Sequence, residues 1–302
     1  MEIIGFIHHG DSHDTVFHLL HLYSSPCPRL KEKWNTMQHS FLRLFLVHKD
    51  RLPSPDQIPG TIMSPTSILF IMFLALVIVI SSRYVARRPR LARPVFISLW
   101  CFFLLTEVLV ILFDSLGGAD RGMDWVNELP LYPCSLYLYS MPFVIWGRGK
   151  ARWMASAYVC TLGLVGGIVN FIYPIQLLHY SCFSFIGMHS LLYHGNLIFT
   201  FLVLISSGDF SYGGIDDGRY LVLASVPTLL QSIPANLLNY SAIHSDYMYF
   251  TGAFPLLGML FPNAPRVGVT LFMYALYIFV PMLFFLPSQK NLRRRADISE
   301  QV

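Results

Sequence analysis

Seven stretches of about twenty residues, nearly free of charge and dominated by Leu, Ile, Val and Phe, punctuate this chain, at about 64–83, 94–116, 129–146, 153–174, 183–206, 219–242 and 267–287. A helix of that length crosses the hydrocarbon of a bilayer, and lipid accepts only segments whose backbone polar groups are satisfied internally. The pattern predicts an all-α fold, a polytopic membrane helical bundle of about seven transmembrane helices. Charged residues are 13% of the chain, about half the share of a soluble domain, too few to coat a water-facing globule.

Three segments follow. Residues 1–60 are polar and hold five histidines early (His8, His9, His13, His18, His21); Pro53, Pro55, Pro59 and Gly60 make a linker to the bundle. Met1–Gly10 lacks a basic start and is not expected to be a secretory signal. Residues 61–287 form the bundle, and 288–302 a basic tail. Arg83, Arg87, Arg88, Arg90 and Arg93 follow the first span, Arg148, Lys150 and Arg152 the third, and Lys290, Arg293, Arg294 and Arg295 the seventh. With seven spans these clusters share one side, which the positive-inside rule makes cytoplasmic, C-terminus included. Asp209, Asp216 and Asp217 fall on that side; Asp120, Asp124, Glu128 and Asp246 fall on the other. The basic loops fit topology and contact with anionic lipid better than nucleic-acid binding.

Polar groups in hydrocarbon face the bundle interior and mark candidate function. Span two carries Glu107 and Asp114 on one helix face, and span four Asn170 beside Gly163, Gly166 and Gly167, glycines that let another helix approach closely. Span five carries His189, Tyr193, Asn196 and Thr200 as a stripe at helical spacing, with His194 about 100° around from Tyr193. Span six carries Gln231, Asn236 and Asn239, with Pro227 and Pro234 expected to kink it. These groups predict a polar cavity within the bundle.

The segment Glu128-Leu129-Pro130-Leu131-Tyr132-Pro133-Cys134-Ser135 carries the most chemistry. Pro133 suits a helix start, which puts Cys134 in or near the first turn, where amide N–H groups and the helix dipole favour a thiolate nucleophile. A base from another span would complete it; depth and stripe favour His189. The five cysteines (Cys27, Cys101, Cys134, Cys160, Cys182) contain no CxxC pair, and no phosphate-binding loop or metal signature is present, so neither cofactor nor metal is expected.

Leu129-Pro130-Leu131-Tyr132-Pro133-Cys134 resembles the start of span three in the YwaF-like integral membrane protein family, whose eukaryotic branch includes a transmembrane acyltransferase acting on ether phospholipids. Gly166-Gly167 with Pro174, Tyr193-His194-Gly195 ahead of the Gly208 loop, and Asn239 with Asp246-Tyr247-Met248-Tyr249 resemble later motifs of that family in order and spacing, over roughly 64–286. Tyr132 and Ser135 stand where the family carries a histidine beside its cysteine. The resemblance implies a cysteine nucleophile, Cys134, with His194 as its base and His189 as second choice. Glu107, Tyr193, Asn239 and Asp246 would orient the base or bind the substrate. The implied activity is phospholipid acyl transfer through a cysteine thioester, with a phospholipid or lysophospholipid as partner. A lipid hydrolase at the same site, and a transporter- or channel-like membrane protein, are the alternatives.

Overall fold

The computed structural model describes residues 45–46, 60–117, 129–212, 222–241, 246–249 and 265–300, with side chains omitted at 116–117 and 286–300. The histidine-bearing N-terminal segment, the Asp120, Asp124 and Glu128 loop, and Asp216 and Asp217 lie outside the described residues.

Helix α1 spans Pro65–Ala86. Its start follows the local chemistry: Ser64 Oγ accepts the Ser67 amide at 3.2 Å, and Pro65 fills a first-turn position that needs no donor. Leu69, Met72, Phe73, Leu76 and Ile80 recur at helical spacing and are all more than half exposed. Such a face is tolerable only against lipid. Helix α2, Pro89–Gly117, begins before the expected position, with Pro94 inside it rather than at its mouth. It ends at the anticipated glycine break.

Helix α3 is only Leu136–Trp146, so 129–135 enters the bundle as irregular chain. Pro142 lies inside α3 and has no N–H to offer the Leu138 carbonyl four residues back. Trp100 Nε1 of α2 donates to that carbonyl at 2.9 Å instead, the neighbour repair that a proline demands within a membrane.

Span four is not one regular helix. It runs as α4, Gly149–Tyr158, a π-turn, Val159–Gly163, and α5, Leu164–Ile172, followed by a 3-10 turn, Ile175–Leu178. Tyr212 donates to the Cys160 carbonyl inside the π-turn. Eight residues separate Tyr158 from Gly166, an offset of about 80° on a regular helix. One residue inserted by the π-turn cuts that to about 20°, which brings both onto one face.

Helix α6, Phe185–Ser206, is capped by Ser184, whose Oγ accepts the Gly187 amide at 3.1 Å. It packs against α1, α2 and α5. A Cβ at Gly167 would meet the His194 carbonyl and Ile198 at 2.9 Å each, so that glycine sets the α5–α6 approach, as small residues do in membranes. Helix α7 is Val226–Asn239, set off by a turn at 224–225 within the expected 219–242 span; Pro227 sits in its first turn, where it causes no kink, and Pro234 lies inside. A 3-10 turn, Tyr247–Tyr249, precedes α8, Arg266–Glu300, which continues past the expected end at 287 as helix.

Among the described residues there is no strand, and five helices are long and apolar enough to cross a membrane, with α3 a shorter apolar one. The chain is a helical membrane bundle, and residues Val47–Val302 form one compact unit.

Candidate functional site

The site begins with the proline-broken turn before α3. Pro130 and Pro133 remove two donors, and the remaining backbone closes locally: Leu131 N bonds Leu129 O at 2.8 Å, Ser135 N bonds Tyr132 O at 3.0 Å, and Tyr137 N bonds Cys134 O at 3.1 Å. Cys134 thus stands just outside the helix, its carbonyl opening α3. Side chains from other elements take the groups left over, Pro133 O and Leu129 N, and give the Tyr132 and Cys134 carbonyls a second donor. Gln231 Nε2 donates to Tyr132 O at 2.9 Å. Tyr158 Oη donates to Pro133 O at 2.6 Å. Tyr193 Oη donates to Cys134 O at 3.2 Å, and Leu129 N donates to Tyr247 Oη at 2.9 Å. Elements α4, α6, α7 and the 247–249 turn therefore grip seven residues of chain, which satisfies in lipid what a helix would satisfy by itself.

The Cys134 thiol is half-buried and free. A Cβ built on Gly166 would come within 3.1 Å of its sulfur and of no other atom within 4 Å. Gly166 therefore makes room for the thiol, while Gly167 makes room for a helix. Read as sequence, all these glycines have one packing role; the π-turn that turns Tyr158 and Gly166 to Cys134 together is invisible there.

The two imidazoles occupy different surroundings. His194 Nδ1 lies 2.8 Å from the Ser190 carbonyl. A carbonyl only accepts, which assigns the proton to Nδ1 and leaves the Nε2 lone pair for a proton from elsewhere. His189 Nε2 lies 3.5 Å from Glu107 Oε2, with both side chains largely buried. Glu107 thus stands beside His189, not His194. The Glu107 carboxylate is within electrostatic range of the Cys134 thiol, and the two histidines are within range of each other. Neither imidazole is hydrogen-bonded to the Cys134 sulfur.

The polar stripe of α6 faces inward as its spacing predicted. Tyr193 rings contact Phe103, Tyr137 and His189, Thr200 Oγ1 shares a hydrogen bond with Tyr137 Oη at 3.2 Å, and Asn196 is buried. Asn239 acts at one remove. Its Nδ2 donates to Tyr247 O at 2.8 Å and its Oδ1 accepts the Tyr247 amide at 2.7 Å. This fixes the turn whose Tyr247 holds Leu129. Met248 and Tyr249 have φ of 57° and 58°, a left-handed conformation that costs non-glycine residues energy and persists only when the surroundings impose it. Tyr277 Oη, donating to Met248 O at 2.8 Å, supplies another restraint. The Tyr132 ring meets Tyr247 edge-on and lies tilted against Tyr249, and Asp246 lies within electrostatic range of Tyr249 and Tyr277. Tyr158 and Tyr277 had no sequence signal of their own.

Two cavities flank α3. One, about 560 Å³, lies between α3, α4 and α7, with Leu131, Leu136 and Gln231 in its wall. The other, about 390 Å³, lies against α2, with Glu107, Trp100 and Pro130 in its wall. Their linings are mostly hydrocarbon, and they border the Cys134 turn at the adjacent residues Leu131 and Pro130, while Cys134 itself lines neither. Among the described residues no three His, Cys, Asp or Glu side chains gather as metal ligands.

Apolar helices around a gripped helix break, with a thiol, two imidazoles and a carboxylate inside, define a multi-pass membrane protein with an internal polar site. The model of the TMEM164 family matches residues 57–288, and the chain belongs to that transmembrane family. Comparison with curated proteins and with solved structures gives no match.

Proposed function

We propose that the chain is an intramembrane phospholipid acyltransferase working through a Cys134 thioester. The observation that carries this reading is the thiol itself: it sits on a turn held by four other elements, against a glycine that leaves it space, and apolar cavities border that turn at Leu131 and Pro130. Structural cysteines in a core need no such turn.

In the first step His194 Nε2 takes the thiol proton and the sulfur attacks the ester carbonyl of a donor phospholipid. A C–S bond forms, the ester C–O bond breaks, and the departing lysophospholipid oxygen takes the proton from His194. In the second step the hydroxyl of an acceptor lysophospholipid gives its proton to His194 and attacks the thioester. A C–O bond forms, the C–S bond breaks, and the sulfur regains the proton. This is covalent catalysis divided into two easier steps. Catalytic contacts often tighten only when substrate is bound, so a direct Cys134–imidazole hydrogen bond is not required beforehand. Tyr193 and Asn239 position the Cys134 turn, and Glu107 positions His189. The apolar cavities favour a lipid hydroxyl over water as acceptor, hence transfer over hydrolysis. The arginine-bearing ends after α1 and before α4 support a cytoplasmic C-terminus by the positive-inside rule.

Acyl exchange between defined phospholipids and lysophospholipids, in vesicles carrying the purified protein, tests the reading. Cys134→Ala and His194→Ala should each abolish transfer while the protein accumulates. Undiminished transfer by Cys134→Ala would end the covalent mechanism. Transfer retained in His194→Ala and lost in His189→Ala would move the base to the Glu107-paired imidazole.

A further inference from the structure

The corner between α1 and α2 carries a charge that the Cys134 site does not use. Arg83, Arg87, Arg88, Arg90 and Arg93 fall within residues 83–93, a stretch with no lysine, aspartate or glutamate. All five are exposed. Among the described residues none of them has a carboxylate within ion-pair distance. The corner before α4 differs, since Arg152 there lies 3.8 Å from Asp209. Orientation in a membrane needs only positive charge, and lysine supplies it as well as arginine. Five unpaired guanidiniums in one place ask for a further reason.

The backbone holds them in a fixed frame. Arg88 N donates to Val85 O at 2.9 Å and Leu91 N to Arg88 O at 2.8 Å, and only Arg87 and Arg88 separate the two helices. Val85, Ala86 and Ala92 are buried and anchor the corner. Arg83 and Arg87 stand about 40° apart around α1, and Arg90 and Arg93 about 60° apart around α2, so each pair shares a face. Arg88 lays its guanidinium over the Tyr84 ring, 3.9 Å from the centroid, and donates to the Tyr84 hydroxyl. A cation held against a ring is oriented before a ligand arrives, which lowers the cost of binding.

We infer that this corner binds a membrane lipid whose headgroup bears two phosphomonoesters, as a bisphosphorylated inositol lipid does. Charge selects it. A phosphomonoester carries about −1.5 to −2 at neutral pH, so two of them and the phosphodiester that joins the lipid total roughly −4 to −5, against five guanidiniums. A phosphatidylserine brings a single net negative charge. Geometry selects it too, because planar guanidinium forks pair phosphate oxygens two at a time and an ammonium does not. A lipid fits better than a soluble anion because the arginines close one apolar span and open the next, the setting in which basic clusters meet such headgroups. The inference stands apart from Cys134 and from the acyl transfer proposed above.

The test measures binding of the purified full chain, in neutral detergent micelles, to a bisphosphorylated phosphatidylinositol with a fluorescent acyl chain, by anisotropy. Phosphatidylserine with the same chains, at matched total charge, is the comparison, and the soluble inositol trisphosphate headgroup is the competitor. The bisphosphorylated lipid should bind roughly tenfold tighter than phosphatidylserine, the scale of an added charge-assisted hydrogen bond. Arg87→Lys, Arg88→Lys and Arg90→Lys together keep the net charge and should remove most of that preference, because lysine offers no fork. Arg148→Gln with Lys150→Gln, at the other corner, should leave it unchanged. Equal binding of the two lipids by the native chain would overturn the inference, and that comparison needs no variant to fold. A preference that survives the triple lysine variant, or one lost on changing Arg148 and Lys150, would overturn it as well. A soluble headgroup that binds as tightly as the lipid would overturn the lipid as the occupant.

Discussion

Gly166→Ala separates a cradle for the thiol from ordinary helix packing. The added methyl carbon would sit 3.1 Å from Cys134 Sγ, while relaxed contacts between such atoms fall near 3.5–4.0 Å. The sulfur must yield by several tenths of an ångström, because no other atom lies within 4 Å to yield instead. Alanine is also better in a helix than glycine by about 1 kcal/mol, which offsets the crowding, so the thermal midpoint in detergent should change by no more than a few degrees. Reactivity should not be spared. A displacement of about 1 Å can cost on the order of 100-fold, so several tenths should cost roughly tenfold in acyl transfer. Gly167→Ala is the control with the opposite signature. Its methyl would strike the His194 carbonyl and Ile198, so it should lower stability and accumulation. A Gly166→Ala protein that transfers acyl groups at the native rate would show that the thiol's position beside Gly166 has no bearing on the chemistry.

Trp100→Phe should strand the Leu138 carbonyl that Pro142 leaves without a donor, destabilising the bundle by about 1–3 kcal/mol, read as a lower melting temperature in detergent; combined with Pro142→Ala the loss should shrink. Asn239→Leu removes both hydrogen bonds to Tyr247 and should cost about 2 kcal/mol or more, with the Tyr247–Tyr249 turn exchanging amide protons faster. Tyr158→Phe, which deletes only the hydroxyl on Pro133, should reduce transfer several-fold with a change in stability of about 1 kcal/mol.

The parts legible from sequence were those governed by local rules. Ser64-Pro65 signals a helix start in any context, and α6 shows its inward stripe because His189, Tyr193, Asn196 and Thr200 recur at helical spacing. Cys134 stood out because prolines surround it. What eluded the sequence depended on contacts between distant residues. Nothing in Val159-Cys160-Thr161-Leu162-Gly163 marks a π-turn; it is accompanied by a hydrogen bond from Tyr212 to the Cys160 carbonyl, fifty-two residues away. Gly166 and Gly167 look alike as letters and differ only in what faces them. The apolar run through 222–225 hides a turn at 224–225 that separates helical residues 222–223 from the helix beginning at Val226. Glu107 was visible as an intramembrane carboxylate, but its preference for His189 over His194 comes from how α2 and α6 pack.

The most direct test of the central claim is peptide mass spectrometry of the native chain after incubation with a donor phospholipid and no acceptor. The expected result is one added acyl chain on Cys134, labile to hydroxylamine as a thioester is, absent from His194→Ala and discharged when lysophospholipid is added. Acyl transfer proceeding while Cys134 stays unmodified under these conditions would contradict it.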